Sequence, residues 1–104
     1  MKIKKYVFNL SNVIEELNLL KRHIIILKTL RKNEPLGIVK LSRLTKYPGH
    51  LVRYSLSELE KRGMIKPSSK GALTTDSVDN NLVLLEKQLK EIKKEINKVM
   101  MILR

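Results

Sequence analysis

Apolar residues recur at steps of three and four along most of the chain, and proline and glycine stand where that rhythm breaks. From Asn12 the positions Ile14, Leu17, Leu20, Ile24, Leu27 and Leu30 fall on one face of a helix. Asn12 and Glu15 have the spacing of a capping box, and the pattern stops near Lys32, before Asn33, Glu34 and Pro35. After Pro35 and Gly37, the positions Ile38, Leu41 and Leu44 predict a second helix of about two turns. A third helix carries Leu51, Val52, Leu56 and Leu59 inward. Its expected first position is Pro48, where a missing N–H loses nothing. Gly63 stops it, just after Lys61 and Arg62, whose charges suit the negative end of a helix dipole.

Beyond Gly63 the period shortens. Two apolar pieces flank the turn-rich Pro67-Ser68-Ser69-Lys70-Gly71, which predicts a small hairpin. Thr75 or Asp76 can then cap a last helix in which Leu82, Leu85, Leu89, Ile92, Ile96, Val99 and Leu103 form a heptad stripe. Residues 1–10 alternate basic and apolar side chains, which fits a short strand or a basic arm. The expected organisation is thus an arm or strand over 1–11, a helical domain with a hairpin over 12–75, and a C-terminal coiled-coil dimerisation helix over 76–104. The fold class is mostly α.

Charge changes this picture from architecture to partner. The 104 residues carry 22 Lys and Arg against 10 Asp and Glu, a formal charge of +12. Residues 1–75 hold 16 of the basic residues and 5 of the acidic ones, so nearly all the excess lies ahead of the last helix. Such an imbalance costs self-repulsion unless an anionic partner offsets it, and it points to nucleic acid. No cysteine is present, and His23 and His50 lie far apart without acidic neighbours at ligand spacing, so neither a metal nor a cofactor is expected. The basic start is broken by Asn9, Ser11 and Asn12, unlike a secretion signal. The longest apolar run, Ile24 to Leu27, is far short of a membrane span. A cytoplasmic protein without a membrane partner is the expectation.

The order helix, helix, turn, helix, hairpin is carried most specifically by "LSRLTKYPGHLVRYSLSELEKRGMI" from Leu41 to Ile65, followed by "KPSSKGALTT". This stretch resembles the winged helix-turn-helix family of DNA-binding proteins, and particularly small prokaryotic and archaeal regulators. The resemblance covers roughly residues 20–76. It implies that Leu41 and Leu44 are buried on the second helix, and Val52, Leu56 and Leu59 on the third. It further implies that a recognition helix over about 48–62 enters the major groove while a wing over about 64–75 follows the backbone. The turn departs from the family in one respect: "YPG" stands where many members carry a capping Ser or Thr.

Independently of the family, a major groove about 12 Å wide admits a helix whose reading groups lie opposite its buried stripe. On the third helix those are His50, Arg53, Tyr54 and Ser57. Arg53 can grip guanine through two guanidinium N–H groups, and Tyr54 and Ser57 can bond a base edge or a phosphate. Phosphate contacts are expected from Lys40, Arg43, Lys46, Lys61, Lys66, Ser68, Ser69 and Lys70. The bland readings are a solvated charged face, a Tyr54 ring lying on the domain surface, and His23 as a core-edge residue.

The seam Leu82, Leu85, Leu89, Ile92, Ile96, Val99 and Leu103 contains no polar residue and predicts a homodimer interface, with Val83, Leu84, Met100, Met101 and Ile102 widening the apolar surface. Flanking charges leave parallel and antiparallel pairings both open. The acids are scattered or at salt-bridge spacing, as Glu58 is to Arg62, and no nucleophile–base pair or glycine-rich phosphate loop occurs, so no enzyme is expected. The function expected is sequence-specific binding of double-stranded DNA by a homodimeric transcriptional regulator on pseudo-palindromic half-sites about 34 Å apart. The alternatives are an architectural chromatin protein of low specificity and a winged helix that binds protein or RNA.

Overall fold

A computed structural model describes residues 8–104; residues 1–7, and with them most of the expected arm or strand, lie outside the described residues. Four helices and one hairpin follow in the order α1 (Ser11–Asn33), α2 (Ile38–Thr45), α3 (Gly49–Lys61), β1 (Ile65–Lys66), β2 (Leu73–Thr74) and α4 (Val78–Leu103). The protein is mostly helical with a two-stranded antiparallel hairpin and a long C-terminal helix, as its periodicity predicts.

The core lies where α1, α2 and α3 meet the hairpin. Ile26, Leu27 and Leu30 of α1 close on Leu41 of α2, Val52 and Leu59 of α3, and Met64 and Ile65 at the first strand. Each large aliphatic side chain taken fully out of water here contributes about 1.5–3 kcal/mol. Val78, in the first turn of α4, is buried in the same core. The α1 stripe differs from expectation at its start: Ile14 and Leu17 are exposed, because they lie on the part of α1 that extends beyond the core formed by Ile26, Leu27 and Leu30. Leu44 is exposed as well, since the short α2 turns only Leu41 and half-buried Ile38 inward.

The helix ends are set by local hydrogen bonding, and three of them differ from the sequence expectation. Helix α1 begins at Ser11 with no side-chain cap, so Asn12 and Glu15 form no capping box; Asn9 Oδ1 instead accepts the Ser11 N–H at 2.8 Å. Pro48 sits one residue before α3, and its carbonyl accepts the first helical N–H groups, from Leu51 and Val52. Helix α4 begins at Val78. The hydroxyls of Thr75 and Ser77 both donate to the Gly63 carbonyl, at 2.6 and 2.8 Å, rather than capping the helix.

Gly63 does close α3, with φ of 72°. Its N–H bonds the Glu60 carbonyl and the Met64 N–H bonds that of Leu59, the paired pattern that a left-handed residue makes possible.

The hairpin pairs Ile65 with Thr74 and Lys66 with Leu73. A further bridge, absent from the sequence expectation, joins Ala72 to Leu36 in the α1–α2 connection. Glu34 strengthens the same junction. Its carboxylate accepts the Thr74 N–H at 3.0 Å and the Thr74 hydroxyl at 2.7 Å. The molecule measures 54 × 30 × 20 Å, its length coming from α4, all of whose residues from Lys90 onward are exposed.

Candidate nucleic-acid interface

Helix α3 is held by one face. Val52, Ser55 and Leu59 are buried, with Leu51, Leu56 and Glu58 half-buried beside them. The helical repeat therefore turns His50, Arg53, Ser57 and Lys61 outward, and all four are exposed. Glu60 shares this face. It stands two turns from Arg53 and repels phosphate, so the first two turns of α3 are the more favourable part for an anion. No side chain caps the start of α3. The missing hydroxyl at "YPG" leaves first-turn N–H donors that can bond a phosphate oxygen directly.

Tyr54 is placed differently from the other expected reading residues. The residue is 49% exposed; its ring lies 6.1 Å from the His23 ring at 27° and carries the Arg22 guanidinium 5.5 Å above its centre. The tyrosine thus braces α3 against α1.

Beneath it, Ser55 is the buried polar residue of the core, and its Oγ accepts the Arg22 Nε–H at 2.9 Å. The same Oγ lies 2.8 Å from His23 Nδ1. Burial, then the charges of Arg22 and Arg62, pull the His23 pKa below its ordinary 6.5, against the opposing pull of Glu58 and Glu16. A neutral imidazole accepting the Ser55 hydroxyl proton at Nδ1 satisfies all three groups. Nothing in the periodicity singles out Ser55; its position between Val52 and Leu59 on the inward face is the only signal.

The turn between α2 and α3 is fixed tightly. Lys46 adopts a left-handed φ of 68°, its N–H bonding the Ser42 carbonyl at 2.9 Å, while the Ser42 hydroxyl donates to the Tyr47 carbonyl at 2.6 Å. Lys40 and Arg43 are exposed on α2, as are Lys46 itself and, in the hairpin, Lys66, Ser69 and Lys70.

Two of the expected phosphate groups are already engaged. Ser68 Oγ donates to the Gly71 carbonyl and accepts the Lys70 N–H, so this hydroxyl shapes the turn. Lys61 lies 3.5 Å from Glu58, which also binds Arg62, as its spacing predicts. The hydrogen bond from Arg62 is the main reason the Glu58 carboxyl is held below its usual range.

An open groove of about 430 Å³ runs between α1, α3 and α4, walled by Leu19, Leu20 and Ile24 on one side and Leu82 and Leu85 on the other. The seam residues of α4 grow more exposed along the helix. Leu82, Leu85 and Leu89 are half-buried, whereas Ile92, Ile96, Val99 and Leu103 face solvent. Among the described residues no cluster of three or more His, Asp or Glu could hold a metal ion, and no helix is long and apolar enough to cross a membrane.

No family model matches the sequence, and no curated protein matches it. Among solved structures, the activation domain of the phage T4 transcription factor MotA is similar to this chain, with a TM-score of 0.52 at 19% identity, covering 68% of this chain and 79% of that domain. At that identity the likeness is one of fold.

Proposed function

We propose that the protein is a winged helix-turn-helix transcriptional regulator that binds double-stranded DNA as a homodimer through α4. Helix α3 enters the major groove and the hairpin follows the phosphate backbone. The observation that carries this reading is the outward face of α3. His50, Arg53 and Ser57 stand free on a helix anchored from behind by Val52, Ser55 and Leu59, in a chain of charge +12. Arg53 reads base edges. Lys40, Arg43, Lys46, Lys66 and Lys70 hold phosphates, and the free N–H donors at the start of α3 add one further anion contact. Tyr54 contributes by fixing the pitch of α3 against α1. The likeness to a transcription-factor domain agrees with this role.

Selection of bound duplexes from a random library, with the mass of the complex measured alongside, tests the proposal. The expected product is a pseudo-palindrome with half-sites about one helical turn apart, bound by two copies. A flat sequence profile points instead to an architectural coating protein.

One observation favours a second reading. The similar MotA domain is an activation domain, so a winged helix whose surface binds another protein of the transcription machinery is the competing function. That reading predicts no duplex binding beyond the salt-sensitive background common to basic proteins.

A further inference from the structure

We infer that the two α4 helices of the dimer run antiparallel, with the tip of each entering the groove between α1 and α4 of the other copy. This rests on the dimer reading above and supplies the direction that the heptad pattern alone leaves open.

Three features of the structure point the same way. The first is the uneven distribution of apolar surface. The tip of α4 carries Met101, Ile102 and Leu103 at 71, 81 and 80% exposure, far more than the helix needs for a seam alone. The open groove, lined by leucines of α1 and α4 and also by Glu16, His23, Glu58 and Arg62, lies at the opposite end of the same helix, beside Leu82, Leu84 and Leu85. A parallel pair sets tip against tip and leaves both grooves open. An antiparallel pair carries the last turns of each α4, from Ile96 to Ile102, across a groove.

The second feature is register. Full overlap of the antiparallel seam sets Leu82 against the partner's Val99, Leu85 against the partner's Ile96, and Leu89 against the partner's Ile92, with each contact repeated by the two-fold axis. In that register Ile102 falls on the side of the seam that holds Asn81 and Gln88. Both of these line the groove.

The third is charge. The same register sets Glu86 beside the partner's Lys93 twice over, whereas a parallel pair sets Gln88 beside Lys93 and Glu95 beside Met100 and gains no opposite-charge contact. The Glu86–Lys90 pair at 3.4 Å lies on the same helix and is compatible with either direction.

The groove wall on α1 extends the interface. Leu20 and Ile24 continue toward the start of α1 as Leu17, Val13 and Leu10, an exposed stripe at helical spacing that a second copy reaching over the groove would begin to cover.

The chain contains no cysteine, so single cysteines can carry spin labels in the full protein. For Arg104→Cys the antiparallel dimer separates the two labels by about 40 Å along the axis, at about 1.5 Å per residue. A parallel dimer brings them within about 20 Å. Lys90→Cys, near the two-fold axis, gives a short distance in either direction and reports the dimer itself. A long distance at 104 with a short one at 90 is the expected result, and a short distance at both positions overturns the antiparallel assignment while leaving the dimer intact. A monomeric mass with no coupling at 90 overturns the dimer and this inference with it.

A charge exchange provides a label-free check. Glu86→Lys should weaken dimerisation about three- to tenfold, and adding Lys93→Glu should restore it. Absence of rescue contradicts the register.

Discussion

At the residue scale, reading and positioning separate. Arg53→Ala removes the two-pronged donor and should cost about 1–3 kcal/mol on the preferred duplex while flattening sequence preference. Lys70→Ala should weaken all duplexes alike and lower the slope of binding against salt by about one unit; titrations on preferred and permuted duplexes at several salt concentrations distinguish the two. Lys46 joins two roles in one residue, because its backbone is left-handed and its side chain is exposed. Lys46→Gly removes a steric cost of about 1 kcal/mol and should raise the unfolding midpoint while lowering affinity for DNA.

His23 gives the domain a pH dependence of definite sign. Its folded pKa lies below 6.5 because burial and Arg22 disfavour the imidazolium. Above the unfolded value both states are neutral and stability is full; as pH falls from about 6.5 through the folded value the unfolded chain takes up the proton first and stability drops. Denaturant unfolding at pH 7.5 and pH 5 should show this loss, and His23→Phe should reduce it. Glu58 and Asp79, whose carboxyls are held low chiefly by hydrogen bonds from Arg62 and Arg31, give way only at more acidic pH.

At the element scale, the long-period signals were legible and the junctions were not. Helices α1 and α4 each repeat an apolar step many times, so a few exceptions do not hide them. The stop at Gly63 was equally readable, because glycine takes the left-handed conformation at no steric cost, whereas the left-handed Lys46 that ends α2 carries no such signal. The Leu36–Ala72 bridge and the Glu34 clamp on Thr74 join residues nearly forty apart in the chain, and periodicity carries no information across that distance. A Tyr54 ring lying on the domain surface was one reading of the sequence, but the same limit hid its partners. Its position on α3 is outward by phase, yet His23 and Arg22 of α1 reach it.

The bridge also yields a test of its own. Gly71 has φ of 126°, and a Cβ there would lie 2.5 Å from the Leu36 carbonyl carbon. Gly71→Ala should therefore destabilise the hairpin junction by more than the about 1 kcal/mol of an ordinary glycine change, which a thermal unfolding curve reads directly.

At the scale of the whole molecule, one end packs the helices that carry the exposed basic residues of α2, α3 and the hairpin, and the other projects the apolar stripe of α4 into solvent. A seam of Ile92, Ile96 and Val99 left in water is costly, and the proposed dimer would remove that cost. Ile96→Asp should convert the dimer to a monomer by sedimentation, and binding to paired half-sites should fall by tenfold or more while a single half-site is bound as before. The exposure of His50, Arg53 and Ser57 was legible in the pattern of α3, whereas the buried Ser55 bracing and the engaged Ser68 hydroxyl depend on how the helices and the turn pack.

In the proposed function, α3 reads DNA sequence in a protein held as a dimer. The most direct test is a competition titration between a selected duplex and a permuted duplex of equal composition at one fixed salt concentration. The expected preference is roughly 10³ or more, saturating at two copies per duplex. Equal affinity for the two duplexes, whatever its strength, would contradict the account.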